Sequence, residues 1–175
     1  MDLYNFFNKT LFDDNTNQYV IDIARLICEN KTDKDSVNEV LRTHHITEIL
    51  DIKHELMSIL TAYADYILHD HKITYEEKVN FNRLKLIFKI KEGDFIKYKE
   101  FELKGIILHQ ARNLYSDNHI STEEELFEVE VQELFNLSYD QYNAIKKEEI
   151  DRALKEGACV TNLNTALYSK KRIKY

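Results

Sequence analysis

Apolar residues recur at three- and four-residue steps along most of this chain, and that period predicts helices. Leu3, Tyr4, Phe6, Phe7, Leu11 and Phe12 form an aromatic first segment with helical spacing. Val20, Ile23, Ala24 and Ile27 make a second stripe, which stops at the polar cluster Asn30-Lys31-Thr32-Asp33. Val37, Val40 and Leu41 predict a short third helix. From near Thr47 the residues Ile49, Ile52, Leu56, Ile59, Leu60, Tyr63 and Ile67 hold the period over about five turns, an amphipathic helix. The chain then runs through His69-Asp70-His71-Lys72 and restarts at Thr74, where Val79, Leu84, Ile87 and Phe88 carry a helix toward Gly93. A further pair spans Phe101 to Leu114 and Ser121 to Phe135. A last helix starts at Ser138 and carries Tyr142, Ile145 and Leu154 to a stop at Gly157.

The two central helix pairs are copies of one another. Asp70-His71-Lys72-Ile73-Thr74-Tyr75-Glu76-Glu77 is echoed 47 residues later by Asp117-Asn118-His119-Ile120-Ser121-Thr122-Glu123-Glu124. Ile87-Phe88-Lys89-Ile90 is answered at the same offset by Leu134-Phe135-Asn136-Leu137, and Ala64 and Ile67 by Ala111 and Leu114. A repeat identifies the building unit, here a helix, a short acidic turn and a second helix. Thr74 with Glu77, Ser121 with Glu124, and Ser138 with Gln141 match the capping box, in which two side chains satisfy orphan amides reciprocally.

Composition narrows the class. Hydrophobic residues are 43% and charged residues 31%, ordinary for a globular protein and too apolar for a disordered one. Proline is absent and glycine occurs only at Gly93, Gly105 and Gly157, so few positions break a helix. The net charge of −7 argues against a nucleic-acid partner, because phosphate neutralisation needs an excess of Lys and Arg. Cys28 and Cys159 have no metal-binding or redox spacing and read as reduced thiols. The start Met1-Asp2-Leu3 lacks a basic leader, and no apolar run approaches a membrane span. A cytoplasmic location without membrane insertion is expected. Taken together, the chain is expected to be all-α and single-domain, with about seven helices. Its core should include Ile52, Leu56, Ile59, Leu84, Ile87, Phe88, Ile107, Leu114, Leu134 and Phe135. The expected organisation is an N-terminal helical segment over 1–46 packed on the core, a repeat domain over 47–157 and a basic tail over 158–175.

The repeated phrase Asp-x-x-Ile-Thr/Ser-x-Glu-Glu between amphipathic helices resembles the turns of the tellurite-resistance TerB-like domain family. The resemblance covers about Thr47 to Glu149. It implies an all-helical bundle with two pseudo-symmetric helix–turn–helix repeats and a bacterial, non-enzymatic protein. Family members occur in operons for resistance to tellurite, phage and colicins, and in a membrane-linked co-chaperone. A metal-associated role for the acidic turns is implied as well. The chain departs from the pattern where glycine usually follows the aspartate: His71 and Asn118 stand there, two residue types that tolerate a left-handed backbone. The spacing between copies is also shorter than is usual in the family. An EF-hand is excluded, because Tyr66 and Leu68 would occupy the first two ligand positions of the first copy, and Asn113 and Tyr115 those of the second.

Two readings of the turns stand side by side. In the first, Asp70 and Asp117 bind nearby amides as Asx turns while Glu77 and Glu124 cap helices. In the second, Asp70, Glu77, Asp117 and Glu124 offer hard oxygen ligands to a shared divalent cation such as calcium, magnesium or manganese. His69, His71 and His119 beside those carboxylates are weaker candidates for a transition metal, and lack a fixed tetrahedral spacing.

Charge divides between the copies. Lys78, Arg83, Lys85, Lys89, Lys91, Lys97 and Lys99 fall in the first, whereas Glu123, Glu124, Glu125, Glu128, Glu130 and Glu133 fall in the second with no basic residue among them. Such segregation suits either two solvated faces or a bipolar surface, with Arg83, Lys85, Lys89, Glu125 and Glu128 as contacts for a protein partner or for self-association. No phosphate-cradling loop, nucleophile elbow or HExxH motif is present. The expectation is therefore a non-enzymatic interaction module of a stress-resistance or defence assembly, with no certain cofactor beyond a candidate divalent cation. The alternative is a small metal-dependent enzyme with a His/carboxylate site around the first acidic turn.

Overall fold

The computed structural model describes residues 3–10, 16–116 and 120–157. Among these residues the regular structure is entirely helical: α1 (Leu3–Thr10), α2 (Gln18–Cys28), α3 (Lys34–Thr43), a 3-10 helix (Ile49–Ile52), α4 (Lys53–Ile67), α5 (Tyr75–Ile87), α6 (Asp94–Leu114), α7 (Thr122–Leu134) and α8 (Tyr139–Lys155). Leu11, Phe12 and the basic tail over 158–175 lie outside the described residues. The chain divides into two compact units, one ending at Lys99 and the other beginning at Glu100. That division falls inside α6, where Lys99 leaves helical geometry (φ −141°, ψ 37°).

In the first unit α2 packs on α3 and on α1, and α4 packs on α5 and on the 3-10 helix. Its interior is held by an aromatic series: Phe6 lies 4.9 Å from Tyr63, Tyr63 6.2 Å from Phe81, and Phe81 6.3 Å from Phe95, centroid to centroid. Four helices, α1, α4, α5 and α6, thus contribute one ring each, and each ring is almost fully buried. Aromatic pairs at such separations add roughly 0.5–1.5 kcal/mol beyond the area they remove from water. All the expected core positions are buried except Ile87, which is half-buried at the end of α5.

The second helices of the two central pairs match residue for residue at the 47-residue offset. Both α5 and α7 have 13 residues and start with a complete capping box. Thr74 N–H donates to Glu77 Oε2 at 2.9 Å and Ser121 N–H to Glu124 Oε2 at 2.7 Å. The return bonds, from Glu77 N–H to Thr74 Oγ1 and from Glu124 N–H to Ser121 Oγ, are both 3.3 Å. Each box is worth about 1 kcal/mol per cap. Both helices end in the same left-handed residue, Lys89 (φ 52°) and Asn136 (φ 51°). The residue after each closes a six-residue loop back, Ile90 N–H to the Lys85 carbonyl and Leu137 N–H to the Gln132 carbonyl, the Schellman arrangement. Ser138 and Gln141 form the third expected box at the start of α8.

Several expectations need correction. Val79 and Phe101, read as parts of apolar core stripes, are exposed, Phe101 at 87%. Lys99, read as part of the basic surface, is buried, as is Glu128, read as a surface contact. Charge on an amphipathic helix reads as solvent-facing, yet a charge with a partner in the interior escapes that rule.

Candidate functional site

The first acidic turn opens onto a groove of about 430 Å³ within the first unit, walled by α1, α4 and the turn. Phe6 and Tyr66 form its aromatic wall, with ring centroids 5.4 Å apart, and Asp65, His69, Asp70 and Glu77 line it. Lys9 reaches over the Tyr66 ring, 6.0 Å from its centroid. The turn itself is built as the chain's local chemistry dictates. Asp70 Oδ1 accepts from the Lys72 amide at 3.2 Å, an Asx turn. His71 takes φ 57°, the left-handed conformation expected where a glycine is replaced by a residue that tolerates it.

Glu77 is buried and its Oε2 also accepts from the Thr74 hydroxyl at 2.8 Å. Burial works against its charge, but hydrogen bonds outweigh it, those from Thr74 among them, and its carboxyl is held below the usual carboxylate value. In the second unit the Glu124 carboxylate is engaged in the equivalent cap, with Ser121 Oγ at 2.8 Å. Asp117 and His119 lie outside the described residues. Among the described residues no group of three or more His, Cys, Asp or Glu side chains is disposed to hold a metal ion. The groove therefore brings Asp70, Glu77 and His69 together and adds Asp65, Tyr66 and Lys9, but its observed bonds are those of turn and cap. A metal ligand set is not assembled from the described residues.

The residues expected to meet a partner have varied placements. Arg83 donates to Asn30 Oδ1 at 2.7 Å and to Thr32 Oγ1 at 3.3 Å, tying α5 to the loop after α2. Lys85 lies over the Phe81 ring, 5.6 Å from its centroid. Lys89 and Glu125 are exposed. Glu128 instead sits at the centre of a buried polar cluster in the second unit. Its Oε1 accepts from Lys146 Nζ at 2.6 Å and from the Tyr115 hydroxyl at 2.9 Å. The Lys146 ammonium also stands over the Tyr142 ring, 4.5 Å from its centroid.

Burial first, and the Glu128 carboxylate second, push the Tyr115 hydroxyl well above the ordinary tyrosine value, and Tyr142 is raised for the same reasons. Burial lowers the Lys146 amine and outweighs the opposing pull of Glu128. The Tyr142 hydroxyl finds no hydrogen-bond partner among the described residues. Nearby, Glu149 is buried and receives Arg112 at 2.6 Å and Arg152 at 2.8 Å. In the first unit, Lys53 is buried against Asp94 and donates to the Lys89 carbonyl at 3.1 Å, pinning the end of α5. Sequence reasoning passed over Lys53, Lys146 and Glu149. The available signal was position: Lys146 and Glu149 fall three and seven residues after Asn143 and Tyr142, on the buried arc of α8.

One further surface is built by the repeat. The exposed apolar residues Tyr75, Val79 and Leu86 of α5 lie within about 40° of one another at 100° per residue, opposite the buried Phe81, Leu84 and Phe88. On α7 the exposed Leu126 and Val129 lie across the helix from the buried Phe127, Val131 and Leu134. Both helices thus carry two apolar stripes, one for the core and one for solvent.

No model of a known protein family matches the chain, and no curated protein or solved structure matches it either.

Proposed function

We propose that the chain is a TerB-like, non-enzymatic interaction module of a bacterial stress-resistance or defence assembly. The observation that supports this reading is the match between the second helices of the two sequence copies, α5 and α7, in length, capping box and left-handed end. In each copy one oxygen of the carboxylate, Glu77 Oε2 and Glu124 Oε2, caps a helix, which favours a structural use of the turn. The second helix of each copy presents apolar side chains to solvent, Tyr75 and Leu86 in one and Leu126 in the other, which favours contact with another surface.

The test is a deletion strain challenged with tellurite, phage and colicin, complemented by the wild-type chain. Lost survival, restored by the chain and also by a variant with Asp70→Asn, is the expected result. Survival unchanged by the deletion under all three challenges would overturn the assembly reading. Stoichiometric transition metal in the purified protein would overturn the non-enzymatic one in favour of a His/carboxylate centre around His69 and Asp70.

A further inference from the structure

The outward stripes of α5 and α7 differ in one respect that selects a partner. From Lys78 through Lys91 the chain contains no acidic residue, and α5 ends at the exposed Lys89. Helix α7 contains no basic residue, and the exposed Glu123 and Glu125 fall on the two sides of Leu126. The α5 stripe thus has acidic neighbours only in its first turn, at the exposed Glu76, and basic ones from Lys78 onward, whereas the α7 stripe has acidic surroundings throughout. Apolar area that faces solvent on the far side of a helix does nothing for the core beneath it, and complementary charge decides what covers it.

We infer that the partner of each stripe is the other stripe on a second copy of this chain: α5 of one molecule docks head-to-tail on α7 of the next. This rests on the reading of the chain as an interaction module and specifies its partner. An antiparallel crossing places Leu86 and Lys89, at the end of α5, over Leu126, Glu123 and Glu125 in the first turns of α7. It also opposes the two helix dipoles, positive α7 start against negative α5 end. Leu126 and Val129 stand about 4.5 Å apart along α7 at 1.5 Å per residue, so it is the end of the α5 stripe around Leu86 that they cover. A contact of this length falls short of the roughly 800 Å² per partner of a standard stable interface, so the association is weak and concentration-dependent. Two such contacts close a two-fold dimer when a molecule gives both helices to the same partner, and make chains or rings when it gives them to different ones.

Sedimentation equilibrium of the full chain, from about 10 μM to about 1 mM at low and high salt, reads the association directly. The expected result is a mass that climbs above the monomer with concentration and falls with added salt. Leu86→Ser and Leu126→Ser/Val129→Ser should each weaken self-association roughly ten-fold or more, since anchors of this kind dominate small interfaces. Mixing these two variants leaves one intact α5 stripe and one intact α7 stripe, and should yield a one-to-one complex that stops at two molecules. Lys89→Glu should weaken the contact, and mixing it with Glu125→Lys should recover it, which separates the charge from any loss of fold. A chain monomeric throughout, a mixture that does not associate, or a variant of one stripe that associates like wild type would each overturn the inference. A monomeric chain that still restores resistance sinks self-association alone, whereas a self-associating chain with no resistance phenotype sinks the assembly reading alone.

Discussion

Removing Lys146 while keeping Glu128 asks the second unit to hold an unpaired carboxylate in its interior. The pair is nearly inaccessible, with side-chain exposures of 4% and 7%, and Lys146 Nζ lies 2.6 Å from Glu128 Oε1. Lys146→Met keeps most of the aliphatic stem and deletes the charge. Breaking one partner of a buried pair costs about 3–5 kcal/mol, because the survivor keeps its desolvation penalty. The Tyr115 hydrogen bond to the same oxygen, at 2.9 Å, offsets part of that loss, since a bond to a charged group is worth about 1.5–3 kcal/mol. The expected destabilisation is therefore about 3 kcal/mol, the lower end of the range. Glu128→Met alone strands the ammonium over the Tyr142 ring, a weaker consolation, and should cost more, about 4 kcal/mol. The double variant Glu128→Met/Lys146→Met replaces the pair by apolar groups of similar length and should sit within about 1–2 kcal/mol of wild type. Urea unfolding followed by circular dichroism at 222 nm, run as a double-mutant cycle, gives the coupling. At this chain length about 3 kcal/mol corresponds to a melting shift of roughly 6–12 °C. If Lys146→Met falls within about 1 kcal/mol of wild type, or the double variant loses the sum of the singles, the pair is not the coupled unit its geometry describes.

Three further outcomes are expected. Tyr142→Phe removes a buried hydroxyl with no partner among the described residues and should leave stability unchanged or raise it by about 1 kcal/mol, read from the same urea curves. Glu149→Gln should flatten the acid limb of stability. Burial raises this carboxyl, but Arg112 and Arg152 more than compensate and hold it below the ordinary value. The unfolded chain thus binds the proton first, so the contribution is complete above about pH 4.3 and is lost as pH falls through the folded value. Urea midpoints between about pH 2 and 6 test this, and parallel slopes in wild type and variant would count against it. Finally, calcium, magnesium and manganese should leave the melting temperature unchanged in wild type and in Asp70→Asn alike. A wild-type rise equivalent to about 2.7 kcal/mol at a hundred times the dissociation constant, absent in the variant, would instead establish a cation at the turn.

The helices and their ends were legible because short-range chemistry sets them. Thr74, Ser121 and Ser138 each announce a helix start through the residue three positions on, and all three boxes form as spelled. The left-handed ends were less visible: Asn30, His45, Lys89 and Asn136 all take positive φ, and only Asn belongs to the types that advertise it strongly. The apolar period located the core but not its limits. Val79 and Phe101 obey the spacing and still face solvent, because a helix with two apolar stripes offers periodicity no single inward face. The buried charges were illegible for a different reason. Glu128 stands among acidic residues and Lys146 beside Lys147 and Glu148, so only the fold reveals that Glu128 and Lys146 meet, 18 residues apart.

The candidate turns show how one residue set can answer two questions at once. An Asp followed by Thr or Ser and then Glu is what a hard cation would want, and also what a helix start requires. The two uses draw on the same carboxylates, and the bonds made are those of the helix start. At Glu77 and Glu124 one oxygen takes both the amide and the hydroxyl of the capping residue, and at Asp70 an oxygen takes the Lys72 amide. A capping carboxylate is held by the start of its own helix and cannot swing toward an ion without releasing an amide, at about 1 kcal/mol per cap. What distinguishes the copies then lies on the far side of those helices, where Tyr75 and Leu86 in one and Glu123, Glu125 and Leu126 in the other face outward. The repeat keeps its caps alike and lets its outer faces diverge, the pattern expected when the turns serve the fold and the faces serve recognition.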